Sequence, residues 1–471
     1  MIINELKNIA DYITPSKTIH FVGIGGVGMS AIARILLEQN YKVTGSDLKE
    51  SINTIRLKDF GAKIFYKHDP SNLRVANMVV VSSAIREDNP EYVEAINNHI
   101  PVFKRGQMLS FIMEQFSKKI AIAGTHGKTT TSSMITMVLD SAKKSPTYTI
   151  GADMNDFQGN AALGNGNFFV TEADESDGSF LYLNPNISVV TNVESEHMEY
   201  FKSEEQLKKC FHEFIGKSQM RGYSVLNGDD LNIQEIIKDL PKNNLIFFGL
   251  NKTANFSASD IVFNENGVKY TLLIDQKPVH EICLQVYGLH NVHNSLAAIA
   301  IGVKEGIPLI HIAKALADFS GTKRRFQLVG QVNDIMIFDD YAHHPTEIKA
   351  TLESIKASFN RRIVCIFQPH RYSRTYDLLT DFTLAFDAAE LVVITEIYSA
   401  HEQNPHNISA KMIKDKMVKQ DNTFFIAHKG KIIDNLLKHL KPNDLVITMG
   451  AGDIYTVAKE LCKYLKQKKE V

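Results

Sequence analysis

The sequence has no tryptophan, only four cysteines and almost no net charge over its 471 residues. The cysteines lie far apart along the chain in apolar surroundings, which predicts buried free thiols rather than disulfides or metal ligands. The 52 basic and 53 acidic residues give a formal net charge of -1. Without a basic excess, the composition argues against a general nucleic-acid binder or a protein of the membrane surface.

Long apolar segments are also missing from the sequence. No run approaches the roughly 18 apolar residues that span a bilayer, and residues 1–16 lack the charged start and apolar stretch of a signal peptide. We therefore expect a cytoplasmic protein that binds neither membrane nor nucleic acid, as a monomer or a weak homodimer. The length predicts about three domains, at roughly 150 residues each.

Short apolar runs alternate with helical patterns along the chain, in three blocks. Such runs are typical of strands buried on both faces of a parallel sheet, and Met29, Ile32 and Leu36 fall on one face of a helix. This alternation predicts α/β domains with mostly parallel sheets. The predicted strands cover residues 18–24, 41–45 and 77–81 in the first block, 119–123, 168–171 and 187–191 in the second, and 335–338, 362–367, 391–395 and 444–448 in the third.

A glycine-rich turn after the first strand of the second block predicts a phosphate-binding loop. Glycines let backbone N–H groups approach phosphate oxygens, and the N-terminus of the following helix adds partial positive charge. Lys128 can neutralise the β- and γ-phosphates of ATP, and the Thr129 hydroxyl can ligate Mg²⁺. The loop is not a standard Walker sequence, because the early glycine would fall at Ile122. Its residues are Gly124, Thr125, His126, Gly127, Lys128, Thr129 and Thr130.

A glycine-rich turn in the first block matches the dinucleotide-binding fingerprint. Asp47 follows it at the distance typical of the acid that meets a ribose hydroxyl. By itself the turn would indicate a nicotinamide-dependent dehydrogenase, but the ATP loop downstream favours a nucleotide-linked substrate in this domain. The turn consists of Gly23, Ile24, Gly25, Gly26, Val27 and Gly28.

Acids and a histidine follow the next two strands of the second block. Because Mg²⁺ prefers hard oxygen ligands, Glu172 is a candidate partner for Thr129. His197 is a second candidate near the metal, unless it is a surface histidine at the start of a helix. We interpret Asp174 and Glu175 as solvated loop acids.

Two polar loops follow strands of the third block, and both carry histidines. Arg371 and Arg374 can clamp a carboxylate and the histidines can accept a proton, although both arginines could also cap a surface. The basic run at residues 323–327 is either a hinge that brings positive charge to a triphosphate or a plain charge run. The lysine-rich end at residues 463–469 is predicted to be a solvated helix terminus.

Together these residues resemble the Mur ligases, over nearly the whole length of the chain. The motifs that carry the resemblance are GIGGVGMS (23–30), GTHGKTTT (124–131), EADESDGSF (172–180), TNVESEHM (191–198), GLHNVHNSLAA (288–298), RRFQ (324–327), DDYAHHPTE (339–347), QPHRYSRT (368–375) and GAGDI (450–454). The resemblance implies ATP-dependent formation of an amide bond between an amino acid, here L-alanine, and the lactyl carboxylate of UDP-N-acetylmuramate, through an acyl phosphate. ATP and Mg²⁺ are the implied cofactors, with Mn²⁺ as a substitute.

The resemblance also implies three domains and a set of site residues. Residues 1–106 form a Rossmann-like UDP-sugar domain, residues 107–322 a central P-loop ATPase domain, and residues 323–471 a Rossmann-like C-terminal domain that closes over ATP. Besides the phosphate loop, ATP is expected to meet His290, Asn291, Asn294, Arg325 and Asp340. The sugar nucleotide is expected to meet Gly23, Gly25, Gly26, Val27, Gly28, Asp47, Ser82 and Ser83. The amino acid is expected to meet Tyr341, His343, His370, Arg371 and Arg374.

The implied chemistry leaves some alternatives open. Lys128, Glu172, His197 and His343 are the expected catalytic residues, with Thr129, Glu172 and His197 around the metal. His343 is the first candidate to take the proton from the amine and His197 the second, while phosphate or solvent could also do so. A family member that attaches a recycled tripeptide also has the histidine pair, but differs in the arginine segment. His401 stands where relatives have glycine, which affects the local loop geometry.

Overall fold

The structure is a computed structural model that describes residues 9–157, 159–251, 253–322, 324–400, 402–418 and 421–467. The chain divides into two compact units. The first contains Met1–Ser259, Thr271–Ile282 and His293–Phe319, and the second contains Asp260–Tyr270, Cys283–Val292 and Ser320–Val471. His401 and Lys323 lie outside the described residues, as do residues 468–471.

A five-stranded parallel sheet opens the first unit, with the strand order β3-β2-β1-β4-β5. The order reverses between β1 and β4, and such a switch point opens a crevice beyond the carboxyl ends of the two strands. The strands are β1 (Thr18–Val22), β2 (Lys42–Ser46), β3 (Lys63–Phe65), β4 (Met78–Val81) and β5 (Val102–Lys104). The helices are α1 (Ile9–Tyr12), α2 (Val27–Glu38), α3 (Ile52–Asp59), α4 (Pro90–Asn97) and α5 (Arg105–Met113).

A ten-stranded sheet follows, in the order β15-β14-β13-β12-β11-β10-β6-β9-β7-β8. The pairs from β12 to β7 in this order are parallel, whereas β7 and β8 form an antiparallel hairpin. The strands are β6 (Lys118–Ala123), β7 (Thr147–Met154), β8 (Gly159–Ala162), β9 (Phe168–Glu172), β10 (Ile187–Val190), β11 (Tyr223–Asn227), β12 (Leu245–Phe248), β13 (Phe256–Asn264), β14 (Gly267–Ile274) and β15 (Lys277–Leu284). The helices are α6 (Lys128–Ser141), α7 (Met198–Phe201), α8 (Glu204–Gln219), α9 (Leu231–Ile236), α10 (Leu289–Lys304) and α11 (Leu309–Asp318).

The second unit is built on a six-stranded sheet with the order β16-β17-β21-β18-β19-β20. The edge pair of β16 and β17 is antiparallel, and the pairs from β17 to β20 in this order are parallel. The strands are β16 (Gln327–Val332), β17 (Ile335–Asp340), β18 (Arg362–Phe367), β19 (Leu391–Ile394), β20 (Thr423–Phe425) and β21 (Asp444–Met449). The helices are α12 (Pro345–Ser358), α13 (Tyr372–Asp377), α14 (Leu379–Leu384), α15 (Lys411–Lys416), α16 (Ile432–Leu436) and α17 (Tyr455–Gln467).

The predicted α/β class with mostly parallel sheets is confirmed, and each predicted strand has its counterpart. Met29, Ile32 and Leu36 are buried on α2, as their spacing predicts. All four cysteines are free, but Cys283 is exposed, so the prediction of burial is wrong for that residue. It lies on the edge strand β15, where alternate side chains face outward. Among the described residues, the helices are all too short or too polar to cross a bilayer.

Candidate active site

The first glycine-rich turn lies between β1 and α2, at the carboxyl edge of the five-stranded sheet. Gly23 has a φ of +81°, and a Cβ atom on Gly25 would lie 2.8 Å from Oδ2 of Asp47, so both positions need glycine. The backbone N–H of Gly25 donates to this carboxylate oxygen at 2.8 Å. Ser82 lies beside Gly23, while Ser83 is exposed. The glycine-rich turn, Asp47 and Ser82 therefore form one surface.

Arg105, at the start of α5, is a charged residue of this surface that the sequence did not single out. Gly26 caps α2 and Val27 is 43% exposed. A Cβ atom on Gly28 would lie 3.2 Å from Nη1 of Arg105, and the same guanidinium donates to Asp174 at 3.2 Å. Arg105 thus joins the glycine turn to the acidic segment after β9.

The predicted phosphate-binding loop lies between β6 and α6 and is held by the two residues that follow β10. The backbone carbonyl of Asn192 accepts from the N–H of Thr125 at 3.1 Å, and its side-chain oxygen accepts from the N–H of His126 at 2.8 Å. The Thr191 hydroxyl donates to the carbonyl of His126 at 2.5 Å. A Cβ atom on Gly124 would lie 2.1 Å from that hydroxyl, so the close approach requires glycine.

Lys128 begins α6 and is surrounded by oxygen atoms. Its Nζ donates to the carbonyls of Gly124 at 2.5 Å and Thr125 at 3.2 Å, and to Oε1 of Glu175 at 2.9 Å. Burial alone would lower the pKa of Lys128, but the charges of Glu175 and Asp174 raise it above its ordinary value. The interpretation of Glu175 as a solvated acid is wrong: it is 3% exposed, because it pairs with this lysine. Asp174 remains partly exposed and pairs with an arginine.

The three residues expected around a metal lie on separate elements at the carboxyl edge of the ten-stranded sheet. Thr129 is buried in the first turn of α6, next to Thr130. Glu172 ends β9 beside β6, and its Oε1 accepts from the N–H of Gly151 at 2.5 Å. His197 caps α7 in the left-handed conformation, with a φ of +58°. The Thr129 hydroxyl and the Glu172 carboxylate are hard oxygen ligands of the kind that Mg²⁺ prefers, whereas an imidazole such as that of His197 is more typical of transition metals.

The helix α10 carries the residues expected near the adenine. Asn294 lies against the phosphate loop, since its Oδ1 accepts from the Thr131 hydroxyl at 3.1 Å and a Cβ atom on Gly127 would lie 2.7 Å from it. His290 and Asn291 belong to the second unit. The Asn291 side chain donates to the backbone carbonyl four residues earlier at 2.7 Å.

In the second unit, Asp340 ends β17 and is buried. Its two carboxylate oxygens accept from the N–H groups of Ala342 at 2.7 Å and Phe326 at 3.0 Å. Burial raises the pKa of Asp340 to about 7, against the lowering effect of Arg325. Nη1 of Arg325 lies 3.6 Å from Oε1 of Glu347. Through the bond to Phe326, Asp340 therefore fixes the backbone next to Arg325.

Arg324 is packed between two aromatic rings, which neither interpretation of the basic run anticipated. Its guanidinium lies 4.8 Å from the ring centroid of Tyr341 and 4.7 Å from that of Tyr455. It also donates to the carbonyl of Gly450 at 2.7 Å and to Asp339 at 3.4 Å. Arg324 thus connects the ends of β17 and β21 with α17.

The histidines of the two polar loops meet in the second unit. His343 and His370 have ring centroids 5.9 Å apart, and His370 stacks on Tyr398 at 5.5 Å. Burial, together with the charges of His343 and Arg374, lowers the pKa of His370 to about 3, so this imidazole stays neutral. Nδ1 of His343 lies 2.9 Å from the carbonyl of Tyr341. Donation to that oxygen leaves Nε2 of His343 as the acceptor nitrogen.

Both arginines of the second polar loop lie beside this histidine pair. Arg371 precedes α13 with a φ of +73°, and its N–H donates to the carbonyl of Tyr398 at 2.8 Å. Arg374 lies on α13 and donates to the carbonyl of His370 at 3.4 Å. The sequence missed Glu402, whose carboxylate lies 3.8 Å from Nε of Arg371.

A glycine-rich loop with a buried lysine, a second glycine-rich turn with an acid and a cluster of arginines and histidines are the features expected of a ligase that activates a carboxylate. Sequence models match the chain as the Mur ligase family, catalytic domain (residues 18–117), the Mur ligase middle domain (residues 122–302) and the Mur ligase, glutamate ligase domain (residues 324–452). The chain belongs to the Mur ligase family.

Within that family, several similar relatives are UDP-N-acetylmuramate–L-alanine ligases. The UDP-N-acetylmuramate–L-alanine ligase of Geotalea uraniireducens is 44% identical over 96% of this chain and 98% of its own length. That of Dictyoglomus turgidum is 43% identical over 95% and 96%. The crystal structure of the UDP-N-acetylmuramate–alanine ligase of Thermotoga maritima matches with a TM-score of 0.82 at 30% identity, over 96% of this chain and 99% of that chain.

Proposed function

We propose that this chain joins L-alanine to the lactyl carboxylate of UDP-N-acetylmuramate, with conversion of ATP to ADP and phosphate, in the synthesis of peptidoglycan precursors. The observation that carries the proposal is the 44% identity, over 96% of the chain, to a ligase of that name. The phosphate loop and the arginine–histidine cluster supply the chemistry that such a reaction needs. The reaction takes place in the cytoplasm, in a monomer or a weak homodimer.

The first step transfers the γ-phosphoryl group of ATP to the lactyl carboxylate, which gives an acyl phosphate and ADP. Two anions must meet, and unit charges at about 4 Å repel by roughly 1 kcal/mol in water and about 4 kcal/mol at an effective dielectric near 20. Lys128 and Arg325 reduce this repulsion and bind the transferring group. Gly124, Thr125, His126, Gly127 and Thr130 hold the phosphates through the loop.

Thr129, Glu172 and His197 would hold a divalent cation. We expect Mg²⁺, with Mn²⁺ as a substitute, to neutralise phosphate charge when bound there. The hydrogen bond from the N–H of Gly151 orients the Glu172 carboxylate through one of its oxygens. His290, Asn291 and Asn294 would contact the adenine region, and Asp340 would help to hold ATP.

In the second step the amine of L-alanine attacks the acyl phosphate, and the tetrahedral intermediate expels phosphate. Arg371 and Arg374 bind the alanine carboxylate, with Tyr341 and His370 beside them. The ammonium group must first lose a proton, and we expect Nε2 of His343 to accept it; the contact of Nδ1 with the carbonyl of Tyr341 supports this role. His370 is a poor proton carrier because its pKa is about 3. His197 is the second candidate.

The domains divide these tasks. Residues 1–106 bind the sugar nucleotide through the glycine turn, Asp47, Ser82 and Ser83. Residues 107–322 bind ATP, and residues 323–471 bind the amino acid and close over ATP.

The test is a phosphate-release assay with UDP-N-acetylmuramate and ATP across L-alanine, L-serine, glycine and an L-alanyl tripeptide. We expect release with L-alanine, and weaker release with serine and glycine, because one methyl group is worth only about 1–3 kcal/mol in a pocket. Release with the tripeptide alone would assign the chain to the recycling reaction instead. Release that ignores both the sugar nucleotide and the amino acid would contradict the proposal.

A further inference from the structure

Glu402 lies where the second polar loop meets the segment after β19. Its Oε2 accepts from the backbone N–H of Ser373 at 3.1 Å, and its Oε1 accepts from the Ser373 hydroxyl at 2.9 Å. The same Oε1 lies 3.8 Å from Nε of Arg371. One carboxylate therefore contacts both the start of α13 and the arginine that precedes it.

The backbone at this point needs support from outside the helix. Arg371 has a φ of +73°, in a region that residues with a Cβ atom rarely occupy. It is held on one side by the hydrogen bond from its N–H to the carbonyl of Tyr398. The first N–H groups of α13 have no partner within the helix, and an acceptor carboxylate at a helix N-terminus satisfies one of them. Glu402 supplies that acceptor for Ser373.

We propose that Glu402 is a positioning residue for the incoming amino acid, because it orients the Arg371 guanidinium that binds the amino-acid carboxylate. The inference rests on the proposed function. A guanidinium carries five N–H donors, so Arg371 can face Glu402 with one edge and a substrate carboxylate with another. Glu402 acts through Arg371 and touches no reacting atom.

A contribution to folding alone is the competing explanation. The side chains of Arg371 and Glu402 are 38% and 26% exposed, and ion pairs in such positions contribute little to stability. The two roles therefore differ in what they change. Loss of positioning affects binding of one substrate, whereas loss of structure affects all three substrates and the thermal midpoint.

The test compares Glu402→Gln and Glu402→Asp with the wild type and with Glu353→Gln, an exposed acid of α12 that pairs with Lys349. We measure KM for L-alanine, ATP and UDP-N-acetylmuramate, kcat and the thermal midpoint. For Glu402→Gln we expect KM for L-alanine to rise at least about tenfold, on the scale of a displaced binding group, with the other two KM values within about twofold. Glu402→Asp keeps the carboxylate, so its KM for L-alanine should lie closer to the wild-type value than that of Glu402→Gln.

A double variant then shows whether Glu402 acts through Arg371. Adding Glu402→Gln to Arg371→Ala should raise KM for L-alanine no further than Arg371→Ala alone. The inference is overturned if KM for L-alanine is unchanged in Glu402→Gln, if all three KM values rise together with a lower midpoint, or if the two effects add. Should Glu402→Gln fail to fold, Glu402→Ala takes its place, and an unchanged KM for L-alanine in that variant has the same meaning. A wild type without alanine-dependent phosphate release would overturn the proposed function itself.

Discussion

Glu175 accepts a hydrogen bond from Lys128 at 2.9 Å and is nearly buried beneath the phosphate-binding loop. The loop carbonyls of Gly124 and Thr125 accept from the same ammonium group. Coulomb attraction in such a partly dry site is screened less than at the surface. To bind a triphosphate, Lys128 must replace some of these three hydrogen bonds with hydrogen bonds to phosphate oxygens. The pair therefore holds the lysine charged and in place at the start of α6.

Replacement of Lys128 by alanine tests the ATP site. We expect Lys128→Ala to lower alanine-dependent phosphate release by at least about 100-fold, on the scale of a lost transition-state contact. The exposed Lys144, near the end of the same helix, provides the matched control, and Lys144→Ala should retain activity. Near-normal turnover in Lys128→Ala would remove the assignment of the loop to ATP.

The buried pair itself can be tested by a double-mutant cycle. Glu175→Ala leaves the Lys128 charge without this partner, and we expect the apparent free energy of unfolding to fall by about 3 kcal/mol. Lys128→Ala/Glu175→Ala should be destabilised by less than the sum of the two single variants, because the charges are removed together. Urea unfolding followed by circular dichroism measures the four proteins. Strictly additive changes would show that the two side chains are not coupled.

Arg371 is the arginine expected to bind the alanine carboxylate. Truncation of a charged hydrogen-bond partner costs about 2 kcal/mol or more, so Arg371→Ala should raise KM for L-alanine by about 30-fold. KM for ATP should stay within about twofold of the wild type, since the triphosphate is bound elsewhere. Initial rates over a range of each substrate give both constants, with the exposed Arg86→Ala as the control. A larger change in KM for ATP would point to another arginine for the amino acid.

The features that the sequence predicted have local causes. The strands β4 and β10 were predictable because all their residues are buried and apolar runs mark such strands. The turns at Gly23 and Gly124 were predictable because only glycine tolerates the conformation and the close contacts there. In contrast, β13 to β15 mix exposed and buried residues, so their apolar pattern is weak.

The residues that the sequence missed depend on distant partners. Glu175 is buried only because Lys128, on another element, supplies the opposite charge. Arg105 reaches Asp174, and Glu402 reaches Ser373, across long separations in the chain. A charged residue in a loop is usually solvated, and no local pattern reveals that it is paired.

Asp340 should make stability depend on pH. Its pKa is about 7 in the folded protein and 3.8 ordinarily, so the folded state binds more protons between these values. Stability therefore falls as pH rises through this window, by at most about 1.4 kcal/mol per pH unit. Asp340→Asn removes the titration, so the unfolding free energy of the variant relative to the wild type should increase from pH 4 to pH 7.

The control for this pH effect is Asp381→Asn, an exposed acid of α14 in the same unit. The difference in the free energy of unfolding between Asp381→Asn and the wild type should stay nearly constant with pH. Urea unfolding at several pH values measures both variants. If Asp340→Asn shows no more pH dependence than Asp381→Asn, the buried acid is ionised in the folded protein throughout this range.

Arg324 provides a test of the contacts that organise the second unit. Its guanidinium lies close to the rings of Tyr341 and Tyr455 while it donates to Gly450 and Asp339. A lysine ammonium keeps the charge but cannot stack on two rings and donate along two directions at once. We expect Arg324→Lys to lower the apparent free energy of unfolding by about 1–2 kcal/mol. Tyr455→Leu should lower the free energy of unfolding less in the Arg324→Lys background than in the wild type, because the contact between the guanidinium and the Tyr455 ring is already lost. Equal effects in both backgrounds would mean that the rings stabilise this unit without the arginine.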